Sequence, residues 1–199
     1  MNKKMKVQMI IAMGIIFNVL GAFIAMSFSI PFYMDSIGTI LVAGLLGPKY
    51  AMLTGVLGSL TSGITFDVYS FYYAPVQLLT GFFAGILYHG PWLKGWKTVF
   101  GAILVGVPTS IASAFITALL FHGITSGASS AIVVVLNNLG LNLVLSIFLV
   151  QVMTDYTDKL LAIFFTKLII ERGNLYEKWG IPWKDTVTLQ TKSKEKLYS

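Results

Sequence analysis

The chain has 199 residues, of which 56% are hydrophobic and 11% charged, and it carries a net charge of +6. An ordinary soluble domain carries about 25% charged residues, so the composition argues against a soluble, disordered or fibrous protein and for an all-α integral membrane protein. With no cysteine and two histidines, thiol catalysis, Cys-based zinc sites and iron–sulfur clusters are excluded, and no metal or cofactor is expected.

The positive charge suggests nucleic acid until its residues are placed. Between Val7 and Met153 the full charges are Asp35, Lys49, Asp67, Lys94 and Lys97 alone. Apolar runs between such sparse charges are candidate spans, each needing about 20 residues to cross a bilayer. In chain order they are Val7–Ser29, Ser36–Gly47, Tyr50–Phe66, Pro75–Tyr88, Val99–Phe121 and Ala131–Met153, the last continuing as an amphipathic helix to about Ile170. Gly47-Pro48 and Gly90-Pro91 mark turns.

The first run is too long for the apolar region of a signal peptide and lacks an A-x-A-like cleavage site. Lys3, Lys4 and Lys6 place the N-terminus in the cytoplasm by the positive-inside rule. Six alternating spans then put Lys49, Lys94, Lys97 and the Lys-rich C-terminus inside, and Asp35, Asp67 and the 122–130 loop outside. Merging 36–47 with 50–66 would give five spans, but it would bury Lys49 at a cost of roughly 2.5–3.5 kcal/mol and put a proline inside the helix. The expected organisation is a single compact bundle over 1–170, with outer-side binding loops, followed by a polar cytoplasmic tail over 171–199. Both termini are expected in the cytoplasm of a multi-pass cell-membrane protein, with lipid as its surroundings and no nucleic acid as partner.

Small residues recur every fourth position at Gly106, Ser110, Ala114 and Ala118, at Gly55, Ser59 and Gly63, and at Gly81 and Gly85. Such faces let helices approach closely in lipid, within the bundle or against another membrane protein. Polar residues inside a membrane are costly and mark function or interhelical bonding. The candidates gather toward the outer side: Asp35 and Thr39 at the second span, Asp67, Tyr72 and Tyr73 in the 66–75 loop, Gln77 and Thr80 opening the fourth span, and His122 in the Gly-rich 122–130 loop. Asn138 and Asn142, four apart, are expected to share one helical face in the sixth span. Five aromatics in loop 66–75 form either an interfacial belt or a lid over a ligand. No H-e-x-x-H, G-x-S-x-G or Walker A pattern occurs, so an enzyme is not expected and the chain cannot hydrolyse ATP by itself.

The run Tyr33-Met-Asp-Ser-Ile-Gly-Thr-Ile-Leu-Val-Ala-Gly-Leu-Leu-Gly-Pro48 and the run Pro75-Val-Gln-Leu-Leu-Thr-Gly-Phe-Phe-Ala-Gly85 resemble the substrate-binding S components of energy-coupling factor (ECF) vitamin transporters. The resemblance covers about residues 5–170. It implies an ABC-type importer subunit that captures a water-soluble vitamin or precursor from outside. The ligand would lie between the outer loops and spans four to six, held by Asp35, Thr39, Asp67, Tyr72, Tyr73, Gln77, His122, Asn138 and Asn142. Delivery would run through the transmembrane subunit EcfT and two cytoplasmic ATPases. The family's docking signature, A-x-x-x-A in the first span, is incomplete here: Ala12 is followed at that spacing by Ile16. Gly14 and Asn18, or Gly21 and Ala25, are the substitutes. Among ligands the resemblance leans to pantothenate. The charge argument leans to a neutral or cationic molecule, such as cobalamin or a hydroxymethylpyrimidine-type precursor, because the outer side offers two Asp and no Lys or Arg.

Overall fold

The computed structural model describes residues 2–93 and 95–175. Among these residues the chain is helical and has no strand. The helices are α1 (Lys3–Ser27), α2 (Ile37–Leu46), α3 (Pro48–Thr65), α4 (Tyr69–Tyr72), α5 (Ala74–Tyr88), α6 (Thr98–Phe121), α7 (Ser129–Asn138) and α8 (Leu143–Arg172), with a 3₁₀ turn at Gly95–Lys97 before α6. Two stretches, Lys4–Ser27 and Thr98–Phe121, are by length and composition enough to cross a membrane.

The expected break between the second and third runs is present. Gly47 takes φ 86°, a left-handed value that a side chain disfavours, and Pro48 opens α3 where its missing N–H needs no partner. The merged single helix is therefore not formed.

The expected sixth run, 131–153, is wrong in its bounds. A turn at 139–142 cuts it in two. Gly140 adopts φ 95°, and Leu141 N–H closes the end of α7 by donating to Leu136 O at 3.2 Å. Asn142 then caps α8, its Oδ1 accepting from Val144 N at 2.9 Å. Asn138 and Asn142 therefore lie on two different helices and share no face. α8 continues to Arg172, past the boundary placed at 170. Residues 176–199, most of the expected tail, lie outside the described residues.

α2 is the centre of the bundle. Gly38 through Leu45 are all buried, and α1, α3, α5 and α8 pack around them. A helix that is apolar on every side is one that neighbours enclose on every side. The close approach needs glycine: a Cβ on Gly38 would sit 1.8 Å from Gly14 O, inside the atom it meets. Gly81 and Gly85 do the same for α5 against α3, at Met52 and Pro48. The small-residue lines thus serve packing within the bundle.

Polarity is inverted relative to a water-soluble helical domain. Asn18, Thr39, Gln77, Thr109, Ser113, Gln151, Asp158 and Lys159 are buried, while Phe23, Ile64, Phe115, Leu119, Val144 and Met153 stand exposed. In water such an apolar surface would drive association.

Candidate functional site

The site begins with the shortness of α2. Ten residues at about 1.5 Å each give roughly 15 Å of helix. α1 has 25 residues and α8 has 30. The chain between Ser27 and Ile37 therefore returns into the bundle as irregular backbone. There, Met34 N–H donates to Asp158 Oδ1 at 2.8 Å, and the Ser36 hydroxyl donates to Asp158 Oδ2. The Lys159 ammonium pairs with the same carboxylate at 2.8 Å, and both side chains are buried. Asp158 thus holds the returning segment and a buried cation together.

A cleft opens beside this anchor. It is lined by Tyr33, Asp35, Asp67, Tyr69, Ser70, Tyr73, Val76, Gln77, Ser113, Gln151, Asp155 and Lys159. The packed side chains leave it room for little more than ordered water. A second hollow continues from Tyr33, Asp35, Asp67 and Ser70 toward Ser126 and Gly127.

Three connections meet over the cleft. Asp67 shapes the 66–73 segment, its Oδ2 accepting from the Ser70 hydroxyl at 2.8 Å and its Oδ1 from Tyr69 N at 3.3 Å. Tyr73 shares a hydrogen bond with Thr117 of α6, and its ring lies 6.3 Å from that of Tyr33. Tyr33 in turn bonds Thr125 of the 122–130 loop at 2.9 Å. Tyr69 and Tyr72 set their rings edge-on to Phe121, at 4.9 and 5.2 Å.

Of the residues expected to hold a ligand, the cleft brings together Asp35, Asp67, Tyr73 and Gln77. Gln77 lines the cleft with Asp35, and its Oε1 accepts from the Thr39 hydroxyl at 3.2 Å. Thr39 stands one layer behind, taking a 2.7 Å bond from Asn18 Nδ2. Tyr72, His122, Asn138 and Asn142 do not line the cleft, and Tyr72, His122, Asn138 and Asn142 are all exposed. The two asparagines are local: Asn142 is a helix cap, and the side chain that reaches Leu141 O is Asn137's.

The expected docking residues divide between the two sides of α1. Gly14 and Asn18 face inward. Asn18 Oδ1 accepts from the N–H groups of Gly38 and Thr39 at 2.7 and 3.1 Å, tying α1 to the first turn of α2. Gly21 and Ala25 are buried as well. Ala12 alone is exposed, among Met9, Met13 and Ile16.

The sequence reading missed the α8 contribution. Gln151, Asp155 and Lys159 recur every fourth residue and so share one face, and all three line the cleft. The signal was that spacing. Ending the sixth run at Met153 hides it, because Gln151 then falls in the span and Asp155 and Lys159 in its amphipathic continuation.

No protein-family model, no curated protein and no solved structure matches this chain.

Proposed function

We propose that the chain is a six-span membrane protein that captures a small water-soluble solute from the outer side, and that it is the S component of an ECF-type ABC importer. The inverted polarity supports membrane placement, because apolar side chains face outward on α1, α6 and α8 while amides, hydroxyls and charges face in. Spans formed by α1, α2, α3, α5, α6 and α8 keep both ends cytoplasmic, with α4 and α7 lying in outer connections. Irregular backbone inside a bilayer is tolerated where protein or a cavity satisfies it, and the 28–36 segment meets that condition through Asp158.

The observation that carries the reading is the cleft itself. Buried Gln77, Gln151 and Asp155 line it together with half-buried Asp35, Tyr33, Tyr69 and Tyr73. Buried amides and acids around a tyrosine-walled hollow form a ligand site rather than a plain packing interface. The ligand is a vitamin or related micronutrient. Pantothenate is an anion, and the carboxylates of the cleft weigh against it. Energy would come from EcfT and two ATPases, met through the exposed face of α1 around Ala12.

A second reading, an autonomous secondary transporter or channel subunit, draws on the buried Asp155, Asp158 and Lys159, since intramembrane charges also serve proton relays. Uptake by proteoliposomes separates the two. Under the first reading the purified chain binds solute stoichiometrically and accumulates none until partner subunits and ATP are supplied. Accumulation against a gradient by the chain alone would overturn it.

A further inference from the structure

We infer that the cleft is built for a small organic cation carrying N–H donors, seated between Asp155 Oδ2 and Gln151 Oε1 with its body against Tyr33 and Tyr73. This inference rests on the solute-binding reading above and specifies its ligand class.

Two buried acceptors carry it. Asp155 Oδ2 and Gln151 Oε1 each lack a hydrogen-bond partner in the protein. Their side chains are 5% and 4% exposed, and both line the cleft. They stand four residues apart on α8, so they face the same way.

Neither is satisfied by a group of the protein. The Gln151 Nε2 group donates to Thr117 Oγ1 at 2.7 Å, while its Oε1 has no donor and the residue lines the cleft. Ser110 and Ser113 approach Asp155 from α6, yet Oδ2 stays without a donor. Lys159 is paired with Asp158, whose oxygens also take Met34 N–H and the Ser36 hydroxyl. Around the cleft, buried Asp155 and Asp158 stand against buried Lys159, and half-buried Asp35 adds a further carboxyl.

A buried carboxylate without a donor is unfavourable, and a charged N–H group is the partner that relieves it most. An anion would meet three carboxyl groups, Asp35, Asp67 and Asp155, against one ammonium, Lys159. A neutral ligand bearing only acceptors would leave both oxygens unmet. Tyrosine faces attract a cation placed over them, which suits the walls this cleft has.

The test uses the full chain in lipid nanodiscs and three probes of one size: benzamidinium, benzamide and benzoate. Benzamidinium should bind at least tenfold more tightly than the other two and raise the melting temperature. Asp155→Asn should weaken benzamidinium at least tenfold, while the ligand-free melting temperature stays level or rises. Equal binding of benzoate or benzamide, or unchanged benzamidinium binding by Asp155→Asn, overturns the inference. Where no probe binds, native mass spectrometry of the chain purified from cells grown in rich medium decides. A co-purified organic cation that is lost in Asp155→Asn supports the inference. A co-purified neutral or anionic solute overturns the cation assignment and leaves solute binding standing. No bound molecule at all overturns both.

Discussion

Met34 N–H donates to Asp158 Oδ1 at 2.8 Å, across 124 residues of sequence, and so fixes the irregular 28–36 segment to the middle of the longest helix. The same carboxylate binds Lys159 and Ser36. One side chain therefore neutralises a buried ammonium and holds the backbone that places Tyr33 and Asp35 at the cleft.

Removing one partner of this pair should be costly. Asp158→Ala takes from buried Lys159 its ion-pair partner, and it leaves Met34 N–H and the Ser36 hydroxyl without their acceptor. A loss of about 3–5 kcal/mol is expected for breaking a buried pair from one side. The double variant Asp158→Asn with Lys159→Met should recover part of it. Unfolding of the purified chain in detergent measures both. A double variant no more stable than Asp158→Ala would show that the ion pair is not the main contribution.

Asn18 acts inside the bundle. Asn18→Ala removes the partner of Thr39 Oγ1 and of two buried N–H groups of α2. Buried donors left unsatisfied cost about 1–3 kcal/mol, so stability without ligand should fall by that order. Because Thr39 also positions Gln77, solute binding should weaken with it. Were Asn18 a partner-docking residue, stability would be unchanged and only assembly with other subunits would suffer.

Asn142→Ala probes the corrected role of the α8 cap. The expected loss is about 1 kcal/mol of stability, typical of an N-cap removed. Solute affinity of the folded protein should be unchanged, because Asn142 stands outside the polar cleft. A tenfold loss of affinity with unaltered stability would return Asn142 to the ligand site.

The proposed orientation can be read by labelling, since the native chain has no cysteine. Cysteine placed at Ser70 or Ser126 should react with an impermeant thiol reagent added to intact cells. Cysteine at Ser193 should react only after the membrane is opened. Reaction at position 193 from outside would invert or break the six-span arrangement.

Gly38→Ala tests the central packing. Its Cβ would lie 1.8 Å from Gly14 O, a backbone atom that cannot swing aside. α1 and α2 would have to separate. Overpacking of this kind costs about 1–3 kcal/mol and occasionally more, so the yield of folded protein in membranes should drop sharply. A normal yield with an unchanged melting temperature would show that the two helices do not meet so closely.

The helical class, the break at Gly47-Pro48 and, within two residues, the bounds of α3, α5 and α6 were legible in the sequence, because they depend on local matters: runs of apolar residues, and glycine and proline that end them. The turn at Asn138–Asn142 was equally local. Gly140 and the Asn142 cap were visible, but the apolar residues on either side disguised them as one span. Asp35, Asp67, Tyr73 and Gln77 could be named because polar residues are rare in such a chain. Which polar residues meet is a different matter, and only the tertiary structure decided it. Asn18 and Gly14 lie on the buried side of α1, and Ala12 on the exposed side, because α2 and α3 pack against one face of α1. Asp155 and Gln151 became cleft residues because α8 runs beside α6 and the 28–36 segment folds back against it. A sequence fixes the spacing of side chains along each helix, but which face turns inward depends on every neighbour that packs there.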